Sequence, residues 1–234
     1  MRDGPATGDI RRFPWRDAAN ALGEWAAQAV DVRCDASGRV WTGRRRDGTP
    51  TRIELPLLVL PDEPPPRADA AAFAARLRAR PGRTLVLLLR AGAMAAGLWD
   101  DDDLLAHRVR RRYVVRGHGR AQTTHLRRRG KSRYGSRLRL QNARRLVDDI
   151  AGCVAEWAAT WGEPERCLLS CPVRQWAAIT AAHPDLALGP RPPTRIPFHV
   201  REPRFDELRR IRFLLAHGEV RVGAQDACDR GSGW

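Results

Sequence analysis

From Leu104 to Val147 the chain contains no aspartate or glutamate, yet it carries fifteen arginines and lysines. These are Arg108, Arg110, Arg111, Arg112, Arg116, Arg120, Arg127, Arg128, Arg129, Lys131, Arg133, Arg137, Arg139, Arg144 and Arg145. The other 27 of the 42 basic residues are matched by the 27 acids, so the whole formal excess of +15 lies in this one window. A guanidinium buried without a partner costs several kcal/mol, on the order set by ion desolvation. The window's guanidinium groups therefore read as solvated or as meeting an anionic partner.

Coding bias accounts for arginine over lysine (Lys131 is the only lysine) but does not clear a window of acids. A field this concentrated is the footprint of a polyanion, bound by phosphate neutralisation and counterion release. A solvated basic face is the plain alternative. A membrane surface fits less well, because the glycines prevent the segment from forming one amphipathic helix.

The flanks supply a core. At 234 residues with 43% hydrophobic content, the chain can build one main domain and a small appendage. Phe13 to Val30 has helical spacing through Trp15, Ala18, Leu22, Trp25 and Ala29. Val30 to Cys34, Arg39 to Thr42 and Thr51 to Leu60 read as strands, punctuated by Ser37-Gly38 and Asp47-Gly48. Pro61 to Pro66 is a proline-rich break, and Ala68 to Arg80 a short helix ended by Pro81-Gly82.

Thr84 to Leu89 is a continuous apolar strand of the fully buried kind. Met94 to Trp99 and Leu104 to Val109 follow as strands around Asp100–Asp103, a run that suits a solvated hairpin tip better than a metal site. Tyr113 to Val115 reads as more strand. Leu138 to Trp161 is a long helix with Leu146, Ile150, Val154, Trp157 and Trp161 as its buried stripe, and with Asp148, Asp149 and Glu156 away from it. A strand (Cys167 to Ser170), a helix (Arg174 to Ala182), a proline-rich connection (Pro190 to Pro197), a helix (Phe205 to His217) and a strand (Glu219 to Val222) complete the chain. The fold class expected is mixed α+β, a mixed sheet flanked by helices. Its expected division is a small N-terminal α+β unit with linker over 1–66, a main domain over 67–222, and a loose tail over 223–234.

Five scattered cysteines show no zinc spacing and read as buried free thiols. No metal or cofactor is expected. Met1 to Trp15 carries Asp3 and Asp9 and has no apolar h-region, so a signal peptide is not expected and the cytoplasm is the default.

A loop of about twenty residues follows Val115, a length that usually marks function. It contains Gly119-Arg120-Ala121-Gln122 and then Arg127-Arg128-Arg129-Gly130-Lys131-Ser132. With Arg112-Tyr113-Val114-Val115-Arg116 before it and Gly135-Ser136-Arg137-Leu138-Arg139 after it, and Asn142 within the helix, the order resembles the catalytic domain of the ribosome quality-control tRNA hydrolases. That family is related to the middle domain of eukaryotic and archaeal class I peptide-chain release factors. Ile196-Pro197-Phe198 and Pro203-x-Phe205-x-Glu207-Leu208 extend the resemblance over roughly Thr84 to Val222. Release factors place two glycines directly before the glutamine, where Arg120 and Ala121 stand here.

The resemblance implies a release-factor-like fold and a hydrolase of peptidyl-tRNA, with Gln122 and Gly119 as its catalytic residues. Its implied partners are the large ribosomal subunit, peptidyl-tRNA and rRNA, and the protein is expected to be a monomer. Arg116, Arg120, Arg127, Arg128, Arg129, Lys131, Arg133, Arg137 and Arg139 are the candidate RNA-binding side chains, and Tyr134 a candidate base-stacking ring. His118 and His125 keep a second reading open, as acid and base of a nuclease cutting near the 3′ end of tRNA. A non-catalytic ribosome-binding factor using the same arginines is the third.

Overall fold

The computed structural model describes residues 9–62, 69–90, 92–112 and 131–223, and over 131–140 it describes the helical backbone alone. The chain divides into two compact units, one formed by 1–81 with 212–234 and the other by 82–211.

The first unit is built on a five-stranded antiparallel sheet. Its strands are β1 (Asp9–Pro14), β2 (Ala29–Cys34), β3 (Val40–Arg45), β4 (Pro50–Glu54) and β10 (His217–Val222), in the order β1-β10-β4-β3-β2. Helix α1 (Ala18–Gln28) buries Leu22 and Trp25, and the Trp25 indole Nε1 donates to Thr51 Oγ1 at 3.0 Å. That bond satisfies the one polar atom of an otherwise apolar side chain, as burial requires. Helix α2 (Ala70–Ala74) sets Phe73 edge-on against Trp41, with ring centroids 5.3 Å apart. Gly38 is required beneath that ring: its φ is +73°, and a Cβ there would come within 2.3 Å of Phe73.

Several local expectations needed correction. Residues 9–14, expected outside any element or within the first helix, form β1, because β10 pairs with them from the far end of the chain. The strand expected over Thr51 to Leu60 stops at Glu54 and gives way to a 3-10 turn at Leu57–Val59, consistent with Pro56 lacking an N–H. The helix expected over Ala68 to Arg80 spans only Ala70–Ala74. Asp69 caps it by accepting from Ala72 N at 2.7 Å, and a hydrogen bond from Arg78 N to Val59 O draws the chain away. The last strand, expected with the main domain, lies between β1 and β4 of the first unit. Cys34 is exposed, whereas Cys153 and Cys167 are buried and Cys171 is half-buried.

The second unit carries the mixed sheet. Strands β5 (Arg83–Arg90), β6 (Ala93–Asp100), β7 (Asp103–Arg111), β8 (Arg166–Ser170) and β9 (Thr194–Arg195) lie in the order β7-β6-β5-β8-β9. The pairs β7-β6 and β6-β5 are antiparallel, while β5-β8 and β8-β9 are parallel. One face of β5 and β6, with Leu85, Leu87, Leu89, Met94, Ala96 and Leu98, packs on helix α3 (Lys131–Trp161) and on Ile179 of α4 (Val173–Ala182). On the opposite face Gly97 leaves room for the Trp99 ring and for Leu208 of α5 (Phe205–Ala216). Burial on both faces explains why β5 reads as an unbroken apolar run.

The aspartate run forms the β6–β7 hairpin tip as expected, with Asp100 paired to Asp103. Asp101 takes a left-handed φ of 49°, and its Oδ1 accepts from Gly82 N at 2.9 Å.

Candidate nucleic-acid interface

The acid-free window begins on β7, the edge strand of the mixed sheet, and ends on α3. Residues 113–130, which join them, lie outside the described residues. They include Arg116, His118, Gly119, Arg120, Gln122, His125, Arg127, Arg128 and Arg129. Lys131, Arg133, Arg137 and Arg139 stand on the first turns of α3, with backbone described and side chains outside the description.

That helix begins seven residues earlier than its sequence suggests, at Lys131 and not Leu138. Gly135 was read as part of the loop. One glycine costs a helix interior about 1 kcal/mol, and a helix of 31 residues propagates through it. Lys131, Arg133 and Arg137 therefore join Arg139 on the helix.

Two bidentate ion pairs fasten the strand to the helix. Arg108 donates through Nη1 and Nη2 to Glu156 at 2.9 and 3.0 Å. Arg112 donates through Nε and Nη2 to Asp149 at 2.7 and 2.9 Å. Four residues along a strand rise roughly 13 Å, and seven along a helix roughly 10 Å, so the arginines and the acids form two matching rungs. Each hydrogen bond holds its charged form: the Arg108 and Arg112 guanidinium groups are pushed up, and the Glu156 carboxyl is held below its ordinary range, by their shared bonds. Pairs this exposed contribute about 0–1 kcal/mol each. Their effect is mainly geometric, since fork-to-fork contacts fix orientation as well as distance. Arg112 and helix α3 are held in one arrangement.

A third arginine of this strand, Arg111, pairs with Glu202 at 2.5 Å. The window is acid-free in sequence, yet three of its four cations over 108–112 are neutralised by acids from elsewhere. Arg110 is exposed, and beyond it the stretch from Arg116 to Arg145 holds eleven cations with no acid among them in sequence. Arg144 and Arg145 are exposed on α3.

Sequence reasoning placed Asp148, Asp149 and Glu156 off the buried stripe without finding their partners, Arg112 for Asp149, Arg108 for Glu156 and His183, 3.2 Å away, for Asp148. The available signal was a pair of arginines four apart on a strand facing acids seven apart on a helix. It also missed a cleft of about 740 Å³ between α3 and α4, floored by Leu146, Val147 and Ala178 with Arg144 and Arg174 at its rim. Its walls come from separate elements. Among the described residues no group of His, Cys, Asp and Glu side chains is arranged to hold a metal ion, and no helix is long and apolar enough to cross a membrane.

A family model described as Bacteroidetes VLRF1 release factor matches residues 84–222, more than half of the chain. This is the span that the order of motifs picks out. Among solved structures, the Vms1 mitochondrial localization core is similar at 12% identity, with a TM-score of 0.45 over 86% of this chain and 80% of that one. No curated protein matches.

Proposed function

The chain belongs to the Bacteroidetes VLRF1 release factor family, and from that premise we propose that it hydrolyses peptidyl-tRNA on stalled ribosomes or free large subunits. The observation that carries the reading is the cation-dense, acid-free stretch from Arg116 to Arg145, whose entry is held to α3 by the Arg112–Asp149 and Arg108–Glu156 pairs. Such a segment suits a site walled by RNA, where each arginine meets a phosphate and the protein supplies no competing charge.

Gln122 is the reacting-centre residue in this reading. A carboxamide has no pKa near neutrality and cannot act as a general base. It can donate and accept hydrogen bonds at once, and so hold a water in line with the ester that joins peptide to the terminal ribose. Positioning of that kind lowers the barrier through orientation. Gly119, three residues earlier, is the motif's glycine, a residue type that tolerates backbone angles closed to others. The neighbouring 2′-hydroxyl and the ribosomal surroundings supply the proton transfer. The arginines hold acceptor stem and rRNA through phosphates, which orients the ester without reading sequence. The site of action is the cytoplasm, and the partners are the large subunit, its rRNA and peptidyl-tRNA.

The chemistry is tested at the RNA 3′ end. Purified ribosome–nascent chain complexes are treated with the protein, and the released tRNA is sequenced at its terminus. An intact CCA end with free peptide supports ester hydrolysis. A tRNA shortened at its 3′ end, with the missing nucleotides still esterified to the released peptide, contradicts it and transfers the role to His118 and His125. Salt-sensitive cosedimentation with no release from any complex would leave a ribosome-binding factor without catalysis.

A further inference from the structure

The three parallel strands of the second unit finish beside one another. β5 ends at Arg90, β8 at Ser170 and β9 at Arg195, and all three terminal residues line a single cavity of about 560 Å³. In sheets of this type the crevice beyond the carboxyl ends of the strands is where ligands settle. Its volume lies within the usual range for small-molecule sites, roughly 300–1,000 Å³.

The chemistry of the lining selects the ligand. Arg90, Arg195 and His199 face it together with Ser170 and Cys171, and no carboxylate is among the lining residues. The nearest acids along the chain are committed elsewhere. Glu202 pairs with Arg111 and Arg204, and Glu207 accepts from Arg210 and from Arg201 N. One Arg90 donor goes to the Val200 carbonyl, which tethers the side chain while the rest of its five-donor fork remains for a ligand. Arg195 makes no ion pair among the described residues. Cys171 stays a neutral thiol, since burial pushes it up to about 12, so it adds no negative charge. Phe198 and Pro197 give the cavity an apolar wall. Helix α4 starts at its rim with Pro172 as an N-cap that makes no side-chain bond, which adds a favourable dipole to a site already defined by the arginines.

We propose that this cavity binds the phosphate of a nucleotide, held by Arg90 and Arg195 with the Ser170 hydroxyl, the base lying against Phe198. The same chemistry can be presented by a free mononucleotide or by one residue of an RNA strand. The cavity is formed entirely by described residues, and Gln122 is not among its lining, so the proposal does not depend on peptide release.

Isothermal titration of the full chain with AMP, with adenosine and with a short single-stranded RNA oligonucleotide tests it. Each is measured on the wild type and on Arg195→Ala and Arg195→Lys, with thermal melting to confirm folding. Arg195 is exposed, so its substitution spares the core. A lost charge-assisted bond weakens binding by about tenfold or more. Two patterns support the site. In the first, AMP binds saturably, adenosine binds at least about tenfold more weakly, and Arg195→Ala loses AMP while Arg195→Lys recovers part. In the second, AMP fails but oligonucleotide affinity falls in Arg195→Ala and is retained in Arg195→Lys, which makes the source an RNA strand. Equal binding of every probe by wild type and Arg195→Ala, or no binding at all, overturns the proposal.

Discussion

The two halves of helix α3 do opposite things with the same backbone. From residue 141 onward it is a core helix: Leu146, Ile150, Cys153, Val154 and Trp157 are buried against β5 and β6, while Asp149 and Glu156 hold the edge strand. From 131 to 140 it has no acid and four cations, Lys131, Arg133, Arg137 and Arg139. One half obtains its stability from apolar contact and paired charge. The other leaves its charge without acidic neighbours in sequence, the arrangement a polyanion favours and an isolated protein does not. Stability and partner binding are thus separated along a single element, and each can be perturbed without the other.

The comparison breaks most visibly in the buried half. Trp157 is 3% exposed, and Trp157→Ala should cost about 3–5 kcal/mol, read by denaturant unfolding. Cosedimentation of the remaining folded protein with large subunits should be little changed. Neutralising Arg133, Arg137 and Arg139 together tests the opposite end. Unfolding should be unaltered, whereas affinity for ribosomes should fall and the log–log salt slope should shrink by roughly 2–3. If melting shifts instead of binding, the division of labour is wrong.

The clamp between the edge strand and the buried half sharpens the comparison further. Asp149→Ala and Arg112→Ala should each cost about 1 kcal/mol or less, and a double-mutant cycle should show that most of this is shared. Peptide release should drop more than so small a stability loss explains, because the loop entry is no longer held. The smallest expected effect is in acid. Glu156 is lowered by its bonds with Arg108, and Glu207 by Arg210 and Arg201 N. Carboxyls depressed in the folded state stabilise above their unfolded pKa, and the gain is lost as pH falls through the folded one. Melting temperature should therefore decline below about pH 4.5, and Glu207→Gln should flatten that decline.

The sequence was most legible where one physical demand acts over consecutive residues. Burial of β5 on both faces, the stripe of α3 and the aspartate hairpin tip all express local periodicity or local turn chemistry, and the second unit follows those expectations. It was least legible where the partner is distant. Strand β1 exists because β10 pairs with it across most of the chain, and no periodicity within 9–14 announces that. Gly135 pointed to a loop because its cost is local, whereas the cooperative gain of a long helix is not. At the candidate site, charge density was evident from composition. The acids that neutralise Arg108, Arg111 and Arg112 come from α3 and from the segment before α5, so the real size of the uncompensated patch needed three dimensions.

The most direct test is the rate of peptide release under single-turnover conditions, with purified ribosome–nascent chain complexes and either wild type or Gln122→Ala. The account predicts equal cosedimentation of the two proteins and release slower by on the order of 100-fold in Gln122→Ala, with the tRNA 3′ end intact. Release at the same rate by both proteins would contradict it.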